Sequence, residues 1–141
     1  MHVNQITGKV IDCAMRIHTR LGPGLYESVY ETLLEYELQK AGLRVQRQVP
    51  IPVIYDDLKL PDGFRADLLV EGIVLVEIKS LETLASVHYK QVTTYLRCSE
   101  LHVALLINFG EEHLRDGIKR IVNNYEGASP SATPANPRPS A

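Results

Sequence analysis

Residues Arg65–Ser80 read RADLLVEGIVLVEIKS, and this stretch decides how the chain folds. It reads as two short strands joined by a turn at Glu71-Gly72, with Asp67, Glu77 and Lys79 set into otherwise apolar runs. Successive strand side chains alternate faces, so Glu77 and Lys79 share one face while Val76 and Ile78 share the other. Val74, Leu75 and Val76 are apolar without alternation, the pattern of a strand covered on both sides. Glu77 and Lys79 therefore end a central strand, where charged groups persist only when paired, hydrogen-bonded or bound to a metal.

Register makes a further demand. A two-residue turn at Glu71-Gly72 would set Ala66 opposite Glu77 and send Asp67 to the other face. One extra loop residue, or a bulge, sets Asp67 opposite Glu77. Gly72 can supply the positive φ that such a turn needs. We expect the second register, because it puts two carboxylates within reach of one cation. The plain alternative is an ion pair of Glu77 or Asp67 with Lys79 and no chemistry.

Upstream, Ile6, Val10, Cys13, Ala14, Ile17 and Leu21 recur at helical spacing and form one buried stripe, with Asn4 or Thr7 as its cap. Arg16 and Arg20 lie one turn apart on another face, either solvating the helix or facing phosphate. Gly22-Pro23-Gly24 breaks this helix, and a second runs from Leu25 to Ala41, closed by Gly42. Glu27 falls in its first turn on the face of Leu34 and Leu38. The helix dipole favours an acid there, yet that face also points Glu27 toward Asp67 and Glu77.

Arg44–Tyr55 has the β-branched residues of a strand, and Pro50 and Pro52 give it an edge position or an irregular course. Asp56-Asp57 and Pro61-Asp62-Gly63 read as turns. Leu84–Cys98 is a third helix, with His88, Gln91 and Tyr95 on one face, able to look into a site or into solvent. HVALLIN at His102–Asn108 is a buried strand. Leu114, Ile118, Ile121, Val122 and Tyr125 suit a last helix, and the Pro/Ser/Ala-rich residues 127–141 cannot bury a core and should be disordered. The expected organisation is one α/β domain over 1–126, in the order α-α-β-β-β-α-β-α.

A chain of 141 residues with 45% hydrophobic and 23% charged residues suits one soluble domain. A net charge of −2 and a pI near 6.2 argue against a generally basic coat for nucleic acid, though not against a local basic patch. Cys13 and Cys98 form no metal or disulfide pattern. Neither a signal-like amino terminus nor a long apolar run appears, so the expected setting is cytoplasmic, with no membrane partner. The five histidines have no ligand spacing, and no phosphate-cradling glycine loop is present.

The order of elements, with Asp67 followed by Glu77-Ile78-Lys79, resembles the PD-(D/E)XK nuclease superfamily. There an aspartate and a (D/E)xK strand meet in a restriction-endonuclease-like core, a mixed sheet flanked by helices. Gly24-Leu25-Tyr26-Glu27-Ser28-Val29-Tyr30 matches the signature of its small bacterial GxxExxY branch. Gln91, Tyr95-Leu96 and Leu106-Ile107-Asn108-Phe109-Gly110 look like that branch too, and the likeness spans about Ile6–Tyr125. Ala66 stands where the superfamily often has proline.

The resemblance implies that Glu27, Asp67 and Glu77 hold Mg²⁺ or Mn²⁺, with the Ile78 carbonyl as a further ligand. Lys79 would orient or deprotonate the attacking water, and Gln91 would place Lys79 or the phosphate. Tyr30, His88, Tyr95, Arg16 and Arg20 are the substrate-binding candidates. The expected activity is metal-dependent hydrolysis of nucleic acid, DNA in the first instance, and a homodimer with joined clefts would enlarge the binding surface. A nuclease-fold binding or regulatory module without activity is the alternative of another class.

Overall fold

The structure, a computed structural model, describes residues 1–123. Tyr125, the end of the expected domain at residue 126 and the tail at 127–141 lie outside the described residues. Five strands form one sheet in the order β1 (Val45–Tyr55), β2 (Leu58–Val70), β3 (Val74–Lys79), β4 (Val103–Asn108) and β5 (Ile118–Val122). Only the β3–β4 pair is parallel, and α3 (Ser86–Cys98) makes the crossover between them. The mixed sheet with three helices is the restriction-endonuclease-like arrangement that the sequence implied.

Two layers cover the sheet. Ile6, Val10 and Ala14 of α1 (Val3–Leu21) and Leu34 and Leu38 of α2 (Glu27–Lys40) pack on Val76 and Ile78. Val92 and Leu96 of α3 pack on Leu75, Ala104 and Leu106 from the opposite side. β3 and β4 are thus enclosed on both faces, which explains their unbroken apolar runs. Leu21, expected in the buried stripe, ends α1 exposed. Nor do Asn4 and Thr7 cap α1: His2 Nδ1 accepts from Asn4 N–H at 3.0 Å, and Gln5 Oε1 accepts from His2 N–H at 2.9 Å.

The expected last helix is not formed. Leu114–Gly117 makes a short 3₁₀ turn, and Ile118–Val122 is a strand antiparallel to β4, from Val103↔Val122 to Ile107↔Ile118. A helix would have left the outer edge of β4 without backbone partners. Pro61-Asp62-Gly63 is likewise no turn but an irregularity inside β2, where the register of the β1–β2 hairpin shifts between Ile51 and Val53.

Candidate active site

The β2–β3 connection carries the extra residue. Val70 pairs with Val74, Leu69 with Leu75 and Leu68 with Val76, so continuing the register sets Asp67 opposite Glu77. Backbone pairing stops there and side chains replace it. Asp67 N–H donates to Glu77 Oε2 at 3.3 Å, and Ile78 N–H donates to Asp67 Oδ2 at 2.8 Å. A strand residue points its N–H and C=O the same way. The Ile78 carbonyl therefore also faces Asp67, beyond the last β2–β3 pair.

Glu77 is 6% exposed. Burial, then the Asp67 charge, push its pKa from 4.5 up to about 8, against the Asp67 N–H and Lys79, which act to lower it. Burial also raises Asp67, with Glu31 adding to the rise and the Ile78 N–H, Gln48 and Lys79 opposing it. Lys79 shares the Glu77 face and is half-buried, and its side chain has no hydrogen bond or ion pair among the described residues. This pair of carboxylates with a nearby unpaired ammonium is not the plain ion pair of the alternative reading.

An open cleft of about 1000 Å³ reaches Asp67 from the α2 side, lined by Glu27, Glu31, Arg47, Gln48, Asp67 and Glu82 among others, with Glu77 and Lys79 outside its lining. Its floor is acidic, and its one arginine is bound to Glu31 at 3.0 Å and Glu35 at 3.4 Å. Glu27 is exposed at the amino terminus of α2, where its Oε2 accepts weakly from Ser80 N–H at 3.4 Å. Among the described residues no three His, Cys, Asp or Glu side chains form a group placed to hold a metal. The structure therefore brings Asp67 and Glu77 together, while Glu27 stands at the cleft and does not complete a three-acid set.

The remaining candidates divide. Tyr95 stacks on Phe64 with ring centroids 3.9 Å apart, and burial followed by the charges of Glu77 and Asp67 raises its hydroxyl pKa. Gln91 lies one turn earlier on the same face of α3, exposed and with no side-chain hydrogen bond among the described residues. His88 is engaged at the start of α3, where Nδ1 accepts from Ala85 N–H at 2.9 Å. Arg16 and Arg20 line a separate groove with Tyr36 and Lys40, and Arg16 is held by Glu37 at 3.0 Å.

Tyr30 does not line the cleft. It is fully buried and stacked on Phe109 at 4.4 Å; its hydroxyl donates to Gly22 O at 2.6 Å and accepts from Leu25 N–H at 3.2 Å. Tyr30 thus holds the loop that carries Gly24, whose φ of +108° suits glycine. Asn108 plays the matching part on the other wall. Its Oδ1 accepts from Leu81 N–H at 2.8 Å and Gly110 N–H at 3.1 Å, and its Nδ2 donates to Leu81 O at 2.9 Å. A Cβ on Gly110 would lie 2.1 Å from Leu81 O, so the close approach requires glycine.

Two residues escaped the sequence reading. Glu31 is 6% exposed and takes hydrogen bonds from Arg47 Nε at 3.0 Å and from Gln48 Nε2 at 3.0 and 3.2 Å. It lies one turn after Glu27 on the stripe of Leu34 and Leu38, so the argument applied to Glu27 applied equally to it. Gln48 reaches Asp67 Oδ1 at 3.4 Å, and nothing in its sequence context marks it.

A mixed sheet flanked by helices, with an aspartate and a Glu-x-Lys strand meeting at its middle, defines a nuclease-like hydrolase core. The family model of the PD-(D/E)XK nuclease superfamily matches residues 4–121, and the chain belongs to that superfamily. No curated protein and no solved structure matches it.

Nucleases of this superfamily generally use divalent metal ions. The residues present fit such an ion. Glu77 is buried and Asp67 half-buried, and burial together with the facing Asp67 charge raises the proton affinity of Glu77, which a cation at the pair would relieve. The donors are all oxygen, which suits Mg²⁺ or Mn²⁺, and Mg²⁺ commonly takes one or two carboxylates and keeps several waters. No helix among the described residues is long and apolar enough to cross a membrane.

Proposed function

We propose that this chain is a Mg²⁺- or Mn²⁺-dependent nuclease that hydrolyses phosphodiester bonds, with DNA as the first substrate to test. Within the superfamily we assign it to the GxxExxY branch on Gly24, Glu27 and Tyr30. The observation that carries the activity is the register that sets Asp67 against Glu77, with Lys79 unpaired two residues along the same strand face.

Asp67 and Glu77, with the Ile78 carbonyl, would hold the cation. When bound it makes a water more acidic and offsets charge on the phosphate. Lys79 is the group left to orient that water and to stabilise charge that builds on the phosphoryl oxygens. Tyr95 closes the α3 side, and Gln91 on the same face is free to hydrogen-bond the phosphate or Lys79. The water oxygen bonds to phosphorus as the bond to the 3′ oxygen breaks, leaving a 5′-phosphate.

The acidic cleft makes the cation a condition of substrate binding as well as of chemistry, because Glu27, Asp67 and Glu82 repel phosphate unless offset, whereas Glu31 is already paired with Arg47. A homodimer would add surface for a duplex, and light scattering of the purified protein tests it. The activity is tested with a labelled panel of single-stranded, duplex and branched DNA and RNA, with Mg²⁺ or Mn²⁺. Cutting that Glu77→Ala and Lys79→Ala abolish supports the reading. An intact panel, with folded protein that binds the cation, would move the chain to the binding-module class.

A further inference from the structure

Gln48 is an anomaly that the proposed mechanism leaves unused. Its φ is +51°, a left-handed conformation that a side chain disfavours and that persists only where the surroundings enforce it. By register it lies opposite Asp67, between the pairs Arg47↔Leu68 and Val49↔Ala66. Both strands change faces at this level. Val45, Leu68 and Val70 pack in the α1–α2 layer, whereas Val49, Ile51, Ala66 and Phe64 pack in the α3 layer. The hairpin thus crosses between layers at Gln48 and Asp67, and the distortion aims both side chains at the cleft.

The amide of Gln48 is held between two acids. Nε2 donates to both Glu31 oxygens and to Asp67 Oδ1, and between two carboxylates only the NH₂ end of the amide fits. Glu31 is itself anchored by Arg47, and Arg65 Nη1 donates to the Gln48 carbonyl at 2.9 Å, fixing the strained backbone. Glu31, Gln48 and Asp67 form one chain of hydrogen bonds from α2 to the site.

We infer that Gln48, anchored on Glu31, is a positioning residue that holds the Asp67 carboxylate in the orientation facing Glu77 and Ile78. For its effect on rate this rests on the nuclease reading above; for its effect on Asp67 geometry it does not.

Gln48→Gly separates the amide from the strain, since glycine accepts the positive φ. In cation-free protein, the Ile78 N–H bonded to Asp67 Oδ2 reports on Asp67 directly. We expect hydrogen exchange at Ile78 to speed at least tenfold in Gln48→Gly, with Leu105 in the core unchanged and Tm no lower than that of the wild type. Cleavage should show kcat reduced at least tenfold, KM for nucleic acid within about twofold, and a higher Mn²⁺ concentration for half-maximal rate. Glu31→Ala should reproduce the Ile78 effect, and Glu31→Gln, which keeps an acceptor for the amide, should restore most of the protection.

Unchanged Ile78 exchange in Gln48→Gly would overturn the inference, as would a Tm well below the wild type, which would assign Gln48 to packing. A wild type that cuts nothing would defeat the nuclease reading alone, because the Ile78 measurement decides the positioning role without it.

Discussion

Replacing Glu77 with glutamine should remove a pH dependence of stability that runs opposite to that of an ordinary carboxylate. In the cation-free protein the Glu77 pKa rises from 4.5 to about 8, first because the group is buried and then because Asp67 faces it. A raised pKa means that the folded state holds the proton more tightly than the unfolded state. The stability linked to Glu77 is then fully present below about pH 4.5 and is lost as pH rises through about 8. At 1.36 kcal/mol for each pKa unit, the span amounts to at most about 5 kcal/mol, shared with Asp67 through their coupling. Glutamine is neutral throughout and can still accept from Asp67 N–H, so Glu77→Gln should escape the loss. Urea unfolding in EDTA from pH 5 to 9 reads the difference. The wild type should fall relative to Glu77→Gln by several kcal/mol across that range. Parallel curves would refute the claim that Glu77 is buried facing the Asp67 charge at this end of β3.

Other substitutions test the walls of the cleft. Tyr30→Phe keeps the stack on Phe109 but loses both loop hydrogen bonds of the hydroxyl, and should cost about 1–3 kcal/mol in urea unfolding. Gly110→Ala drives a methyl group against the Leu81 backbone and should cost at least about 1–3 kcal/mol, with a matching fall in Tm. Arg20→Ala removes an exposed side chain from a groove separate from the acid pair; denaturant stability should stay within about 0.5 kcal/mol, and the cleavage rate should be little changed.

The acid pair was legible because its neighbours constrain it. The apolar runs on both sides of Glu71-Gly72 identify two strands, and the demand that Asp67 and Glu77 share a face selects the longer loop. The amphipathic stripes of α1 and α2 and the unbroken run of β4 were legible for the same reason, a periodicity sustained over several residues. Ile118–Val122 was not, because a five-residue segment with β-branched ends satisfies helical and extended spacing alike; its pairing with β4 decides it. Pro61-Asp62-Gly63 carried a turn signal that the long hairpin absorbs as an irregular register. Tyr30 was misread because its place in a sequence motif does not reveal that Phe109, distant in the chain, packs against its ring. Gln48 was invisible because its importance lies in a backbone angle and in partners from α2 and β2.

The central claim is that Asp67, Glu77 and Lys79 form a working hydrolytic site, and Lys79→Ala tests it most directly. Lys79 has no hydrogen bond or ion pair among the described residues, only the longer-range pull of its charge on Glu77 and Asp67, so its removal should leave the fold and cation binding nearly intact. The measurement is single-turnover cleavage with saturating Mg²⁺ or Mn²⁺ on the best substrate of the panel, beside a thermal melt of the same sample. We expect a wild-type cut that falls at least about 100-fold in Lys79→Ala, with Tm unchanged. Cleavage by Lys79→Ala at the wild-type rate would contradict the account.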